Sequence, residues 1–226
     1  MEDYHYILQD IEKSKILSRI VAHLMGDGHI NHRYLRYNNK EEFLLNQFQN
    51  DMGSLFKDLH FIKGKVNSGT SFVQVQNKPI IFFLNSLAPD FRSYNLLFPK
   101  FVNNLELKRE FLKALYDDEG CVGLRTFKKT NEIKRDITFS SNSLKLIEEI
   151  KNMLKEDFDI TSNKVSKYVK TREDKIFTNY VLAITGKYNF ESFRDEIGFY
   201  HPIKANKLNL MINSYIRPPK FEIRKA

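Results

Sequence analysis

The chain has 226 residues, enough for one large domain or two small ones with a sizeable core, and its 42% apolar and 28% charged residues describe a soluble globular protein. No apolar run approaches the length that spans a bilayer, and the N-terminal stretch MEDYHYILQDIEKSK lacks a secretory apolar region, so no membrane partner and an intracellular setting are expected. One cysteine, Cys121, excludes a disulfide framework and a multi-cysteine zinc site, while a net charge of +8 suits a polyanion such as nucleic acid or, equally, a solvated surface.

The first element is an apolar helical pattern through Ile16, Leu17, Ile20, Val21, Leu24 and Met25. It stops at Gly26-Asp27-Gly28. Strand-like HINHRYLRY follows. Then a polar cap opens an amphipathic helix with Phe43, Leu44, Phe48, Met52, Leu55 and Phe56 on one side. FIKGKVN and SFVQVQ read as paired strands separated by Ser68-Gly69, and PIIFFLNSLA as a short closing helix.

The order then repeats. A helix through Phe111, Leu112, Ala114, Leu115 and Tyr116 ends on Asp118-Glu119-Gly120. CVGLRTFKK and KRDITFS form a hairpin around Thr130-Asn131. The next helix carries Leu146, Ile147, Ile150, Met153 and Leu154. ITSNKVSKYVK and FTNYVLAIT flank the turn TREDK, and YNFESFRDEIG closes the half. This is an internal duplication detected by pattern. It divides the chain into 1–88, a linker at 89–105, a second repeat at 106–216 and a basic tail at 217–226. A last helix is expected over HPIKANKLNLMINSYI, ended by Pro218-Pro219.

Ala22 and Gly26 share one face of the first helix, and Ala114 and Asp118 share one face of the second. Small side chains let two helices pack closely about a pseudo-twofold axis. Asp27 and Glu119 would then emerge together at two helix C-termini, already electronegative from their free carbonyls. Hard oxygens without sulfur point to Mg²⁺ or Ca²⁺ as the ion that relieves the repulsion. The reading requires the two carboxylates to meet without lysine or arginine neutralising them in the seam. Gly28 and Gly120 are expected to be left-handed helix stops. His23 is expected to pack at the helix interface, and Cys121 to be a small buried thiol.

The nonapeptides IVAHLMGDG, Ile20 to Gly28, and LKALYDDEG, Leu112 to Gly120, resemble the motif of the LAGLIDADG homing endonucleases in their single-chain, two-repeat form. The order of helices and strands agrees over residues 14 to 215, and IGFYHPIKANKL resembles the family's closing segment. The resemblance implies an α+β fold of two αββαββα repeats, each with a four-stranded antiparallel sheet, forming a saddle over the DNA major groove. It implies a monomeric, metal-dependent endodeoxyribonuclease that cuts both strands of a long, asymmetric site. Asp27 and Glu119 would bind catalytic metal, joined by the carbonyls of Gly26 and Asp118. Asn38 and Ser141 fall where the family keeps its polar pocket. Mg²⁺ is the expected cofactor, with Ca²⁺ binding without supporting cleavage. His23 departs from the apolar residue the motif prefers, and Asp118 from the small one. A buried carboxylate there needs a partner or a route to water.

Strand alternation selects the DNA contacts. Lys164, Tyr168, Lys170 and Arg172 share a face, away from Val165 and Val169. Gln74 and Gln76 oppose Val73 and Val75. In a regular strand Arg33 and Arg36 fall on opposite faces. Arg125, Lys128 and Lys129 flank the long hairpin. Arginine and glutamine suit base edges, and lysine suits phosphates. Two alternatives stand on the same scaffold: a maturase whose partner is intron RNA, and a DNA-binding protein without catalysis. The absence of splicing-domain sequence favours an intron-encoded origin over an intein. An archaeal cytoplasm and an organelle both fit the composition.

Overall fold

The computed structural model describes residues 4–66, 69–88, 90–126, 132–172 and 175–215. Thr130-Asn131, Lys128, Lys129 and the Pro218-Pro219 tail lie outside them. A short 3-10 turn (Tyr4–Ile7) leads into α1 (Ile11–Gly26), β1 (Gly28–Ile30), β2 (Leu35–Asn39), α2 (Glu42–Leu55), β3 (Phe61–Lys65), β4 (Ser71–Val75) and α3 (Lys78–Leu87). The second half repeats the order as α4 (Leu105–Glu119), β5 (Gly120–Thr126), β6 (Ile133–Ser141), α5 (Leu144–Phe158), β7 (Ser166–Arg172), β8 (Lys175–Ile184) and α6 (Lys187–Glu196). Helix α7 (Pro202–Asn213) follows. Two antiparallel four-stranded sheets result, with strand orders β1-β2-β4-β3 and β5-β6-β8-β7.

Local chemistry sets the helix starts. The Asp10 carboxylate accepts from the backbone N–H groups of Glu12 and Lys13 at α1, Asn104 accepts from Leu107 at α4, and Ser143 accepts from Leu146 at α5. Helices α1 and α4 pack side by side. Their inward residues Leu17, Ile20, Val21, Leu24, Leu107, Phe111, Leu112 and Leu115 are buried in one core, each worth about 2 kcal/mol relative to exposure. The helices come so close at one end that a Cβ placed on Gly26 would sit 2.8 Å from the Asp118 Cβ.

Several expectations change at this level. Gly28 and Gly120 are not left-handed: Gly28 begins β1 and Gly120 is extended, with φ −90° and ψ 151°. Their need for glycine is steric. A Cβ on Gly28 would meet the Leu24 backbone, with its carbonyl carbon at 2.7 Å, and one on Gly120 would meet Tyr116, with Cδ1 at 2.8 Å. The chain doubles back against its own last helical turn, and only a bare Cα fits. Phe43, assigned to the buried side of α2, is 47% exposed because it lies beyond the core-facing stripe. Cys121 is exposed rather than buried, because it alternates with buried Gly120 and Val122 in β5. The segment HINHRYLRY breaks into two strands at an Asn31 turn, whose Oδ1 accepts from the N–H groups of Arg33 and Tyr34. Arg33 is therefore a turn residue, and strand alternation does not govern it.

Candidate metal and nucleic-acid site

Cross-strand register relates the two repeats residue by residue. Gly28 pairs with Tyr37, and Gly120 pairs with Phe139. Asn39 is thus the counterpart of Ser141, and Asn38 the counterpart of Ser140. The sequence pairing of Asn38 with Ser141 is one residue out of step. Asn38 donates from Nδ2 to the backbone carbonyl of Asp27 at 3.2 Å. Asn39, which the sequence reading passed over, donates from Nδ2 to Asp27 Oδ2 at 3.1 Å. Its own Oδ1 accepts from the Glu41 N–H at the start of α2.

The first-repeat acid is wired across the seam. Asn39 Nδ2 also lies 3.4 Å from Asp118 Oδ1. The Tyr37 hydroxyl donates to that oxygen at 2.5 Å, and His23 Nδ1 lies 2.9 Å from Asp118 Oδ2. The partner that a carboxylate inside the helix interface requires is thus supplied by residues of the first repeat. Burial opposes charge on His23, but Asp118, aided by Asp117 and Asp51, outweighs it and raises the imidazole pKa. Burial, then Asp118, holds the Tyr37 hydroxyl protonated well above its usual range. In the second repeat the corresponding positions are Leu115 and Phe139, so among the described residues no such network accompanies Glu119.

Both motif acids resist ionisation. Protein packed on one side of Asp27, then the Asp118 charge, pushes its carboxyl up to about 6, although the residue stands at an exposed helix end. Burial, then the charges of Asp27 and Asp118, pushes Glu119 up to about 7. Burial also raises Asp117 to about 6; its oxygens accept from the N–H groups of Tyr200 and His201.

These two hydrogen bonds fix the entry to α7 and place Lys204. Its ammonium donates to the carbonyls of Tyr116, at 3.2 Å, and Gly120, at 2.7 Å, and to that of Asp117. Lys204 moderates the rise at both Asp27 and Glu119. Its bonds, however, go to carbonyls, and among the described residues no lysine or arginine forms an ion pair with either acid. In the sequence, only the closing segment IGFYHPIKANKL, which runs into α7, contains this lysine.

Two cavities flank the seam. One, of about 550 Å³, is lined by Asp27, Asn38, Asn39, Asp118, Cys121 and Lys204. The other, of about 530 Å³, is lined by Gly26, Glu119, Ser141, Tyr168, Lys170 and Asn179. Asp27 thus lines the first cavity and Glu119 the second. Among the described residues no group of three or more His, Cys, Asp or Glu could alone hold a metal ion.

The remaining candidates distribute unevenly over the sheets. Register puts Arg36, Asn38, Phe72 and Gln74 on the open face of the first sheet. In the second sheet it puts Cys121, Arg125 and Thr138 and Tyr168 and Lys170 on the corresponding face; the Arg172 side chain lies outside the described ones. Arg33, Gln76 and Arg125 are exposed. Lys164 is exposed but precedes β7. Gln74 is only 5% exposed. On the other side of β7 and β8, Val169 and Ile176 are 57% and 73% exposed, so this hairpin runs past the core and is open on both faces.

Residues 106–198 match the family model of a LAGLIDADG-like domain. Two curated relatives come from Methanocaldococcus jannaschii. The replication factor C small subunit is 28% identical over 88% of this chain and 12% of that protein. A glutamine--fructose-6-phosphate aminotransferase is 26% identical over 87% of this chain and 17% of that protein. The chain thus spans less than a fifth of either. Among solved structures, variants of the homing endonuclease I-DmoI superpose with a TM-score of 0.62 at 17% identity, covering 87% of this chain and 98% of theirs. I-DmoI in complex with DNA and Mn gives 0.56 at 16%, covering 81% and 96%. Full-length WhiA from Thermatoga maritima gives 0.60 at 12%, covering 92% and 63%. The chain has the LAGLIDADG fold in its single-chain, two-repeat form, as the two nonapeptides implied.

Proposed function

We propose that this two-repeat LAGLIDADG chain is a site-specific double-strand DNA endonuclease that hydrolyses phosphodiester bonds with divalent metal at the junction of its repeats. The observation that carries this reading is electrostatic. Glu119 of one repeat senses the charge of Asp27 of the other, and both are held above ordinary carboxylate values, with no direct ion pair among the described residues. Two acids kept in one unfavourable field are explained by an ion that binds there in use.

The donors fit a hard cation. Asp27 and Glu119 offer carboxylate oxygens, and the carbonyls of Gly26 and Asp118 are the neighbouring backbone donors. The protein donors alone make an incomplete sphere, which suits Mg²⁺ completed by water and substrate phosphates. When bound, such an ion neutralises charge at the phosphate and eases ionisation of water. The chain's own part is positional. Asn39 fixes one oxygen of Asp27 and leaves the other free. Lys204 offsets the negative end of α4 without occupying a carboxylate. The open sheet faces supply arginine, lysine and tyrosine to double-stranded DNA.

A module shared by two proteins of unrelated named activity, filling under a fifth of each, accords with a separable unit that carries its own function. The fold also occurs in WhiA, so fold alone does not decide catalysis. Incubation with Mg²⁺ and a randomised duplex library, followed by sequencing of the ends, tests the reading. Defined staggered double-strand breaks are expected. Selective binding without breaks would assign a non-catalytic DNA-binding protein, and retention of folded intron RNA alone would assign a maturase.

A further inference from the structure

Arg36 is the second residue of β2, with its guanidinium held on three sides. Gln74, directly opposite on β4, accepts from Arg36 Nε at 2.9 Å and from Nη2 at 2.6 Å through a single oxygen. The Arg36 Cζ lies 4.2 Å from the Phe72 ring centroid and 5.0 Å from that of Tyr34. Phe72 reaches this place because Gly64 faces it. A Cβ on Gly64 would be 2.7 Å from the Phe72 Cζ. Gln74 is buried under this arrangement, whereas Arg36 remains half-exposed.

The bracket has a chemical consequence. A guanidinium carries five N–H donors, and Gln74 takes two, on the Nε–Nη2 edge. The outer edge, with Nη1 and the second Nη2 hydrogen, stays free and is aimed by the fixed one. Two parallel donors on an ordered plane match the O6 and N7 acceptors of guanine in the major groove. Ordering a long side chain before binding also removes an entropic cost of contact. Register makes Thr138 the counterpart of Arg36, and Ala183 that of Gln74. The second repeat therefore has no such group at the equivalent place.

We infer that Arg36, oriented by Gln74 and Phe72, reads one guanine in the inner part of the half-site gripped by the first repeat, and that the mirror position of the target is unspecified by any counterpart. Gln74 is a positioning residue and does not itself touch a base. The inference rests on the DNA-endonuclease reading and deepens it.

The test is site selection by the full chain from a randomised duplex library in Ca²⁺, for wild type, Arg36→Lys, Arg36→Ala, Gln74→Leu and Gln74→Glu. Thermal midpoints serve as a check on folding. Wild type is expected to prefer G·C at one inner position of one half-site by roughly ten- to a hundredfold. Arg36→Lys and Arg36→Ala lose that preference and keep the others. Gln74→Leu loses it too, whereas Gln74→Glu, which still accepts from the guanidinium, keeps it. An unchanged profile in both Arg36 variants would overturn the assignment. So would a uniform loss of affinity with a salt dependence shallower by about one phosphate contact. Either result leaves the endonuclease reading intact. A wild-type chain that selects no sequence at all would sink both.

Discussion

His23 Nδ1 lies 2.9 Å from Asp118 Oδ2, and neither side chain is accessible to solvent. Both residues depart from the apolar and small types favoured in their nonapeptides, and the departures compensate one another across the seam. Removing His23 leaves Asp118 with only the neutral donors Tyr37 and Asn39, and removing Asp118 strands His23 in a dry interface. His23→Leu should therefore cost about 3 kcal/mol. The double variant His23→Leu, Asp118→Ala should cost clearly less than the sum of its single changes. Denaturant melts of the four proteins form the cycle, and additive losses would show the pair to be uncoupled.

The raised carboxyls give stability a definite sign with pH. Asp27 and Asp117 titrate at about 6 and Glu119 at about 7 in the fold, against ordinary values near 4. The folded state thus binds more protons than the unfolded chain across that interval. Their favourable contribution is fully present below about pH 4 and is lost as pH rises through 6 to 7. His23, raised by Asp118, adds a loss of the same sign above its ordinary value. In chelator, the thermal midpoint should fall between pH 5 and 8 by an amount of the order of 5 °C. Asp27→Asn and Glu119→Gln should each flatten that slope, and Mg²⁺ should stabilise wild type more at pH 8 than at pH 5.

Catalysis and binding should separate at the same two acids. The candidate DNA contacts are spread over the sheets, whereas Asp27 and Glu119 stand at the helix ends. Asp27→Asn or Glu119→Gln should lower the single-turnover cleavage rate by roughly a hundredfold or more. Affinity for the selected duplex in Ca²⁺ should stay within about threefold. Loss of binding in step with cleavage would make these residues structural.

Much of this fold was readable because period and punctuation agree. Alternating and helical apolar patterns placed the elements, and the duplicated nonapeptides tied the halves together. What stayed hidden depends on register and on distant chain. The pairing of Gly120 with Phe139, which makes Ser141 the counterpart of Asn39, needs the strands aligned to a single residue. Lys204 reaches carbonyls more than eighty residues away, and no local pattern announces that. The Arg36–Gln74 bracket hides for another reason, since two polar residues on one open face look like two independent DNA contacts.

The glycines illustrate the same limit and are separable by mutation. Gly28 and Gly120 lack room for a Cβ, whereas Gly69 has φ 81° and nothing within 4 Å of its missing Cβ. Gly28→Ala should cost about 3 kcal/mol through collision with the helix backbone, and Gly69→Ala about 1 kcal/mol through conformation alone. Asparagine, which tolerates the left-handed region, should be accepted at 69 and rejected at 28. Equal tolerance at both positions in denaturant melts would return Gly28 to the role of an ordinary helix stop.

Lys204 supplies the last prediction, because its two effects pull on different measurements. Its ammonium satisfies the carbonyls of Tyr116, Asp117 and Gly120, so Lys204→Met leaves three acceptors at a half-buried helix end without their donor. A loss of about 2 kcal/mol in stability is expected. The same charge holds down the pKa values of Asp27 and Glu119. Without it both carboxyls need higher pH to ionise, so the rising limb of the cleavage profile should move to the alkaline side. Lys204→Arg should keep the charge and much of the profile while losing stability to a poorer fit. A structural role alone would lower the melting point and leave the pH profile where it was. A shifted profile in Lys204→Met, recorded below its melting temperature, would show that α7 tunes the acids through space.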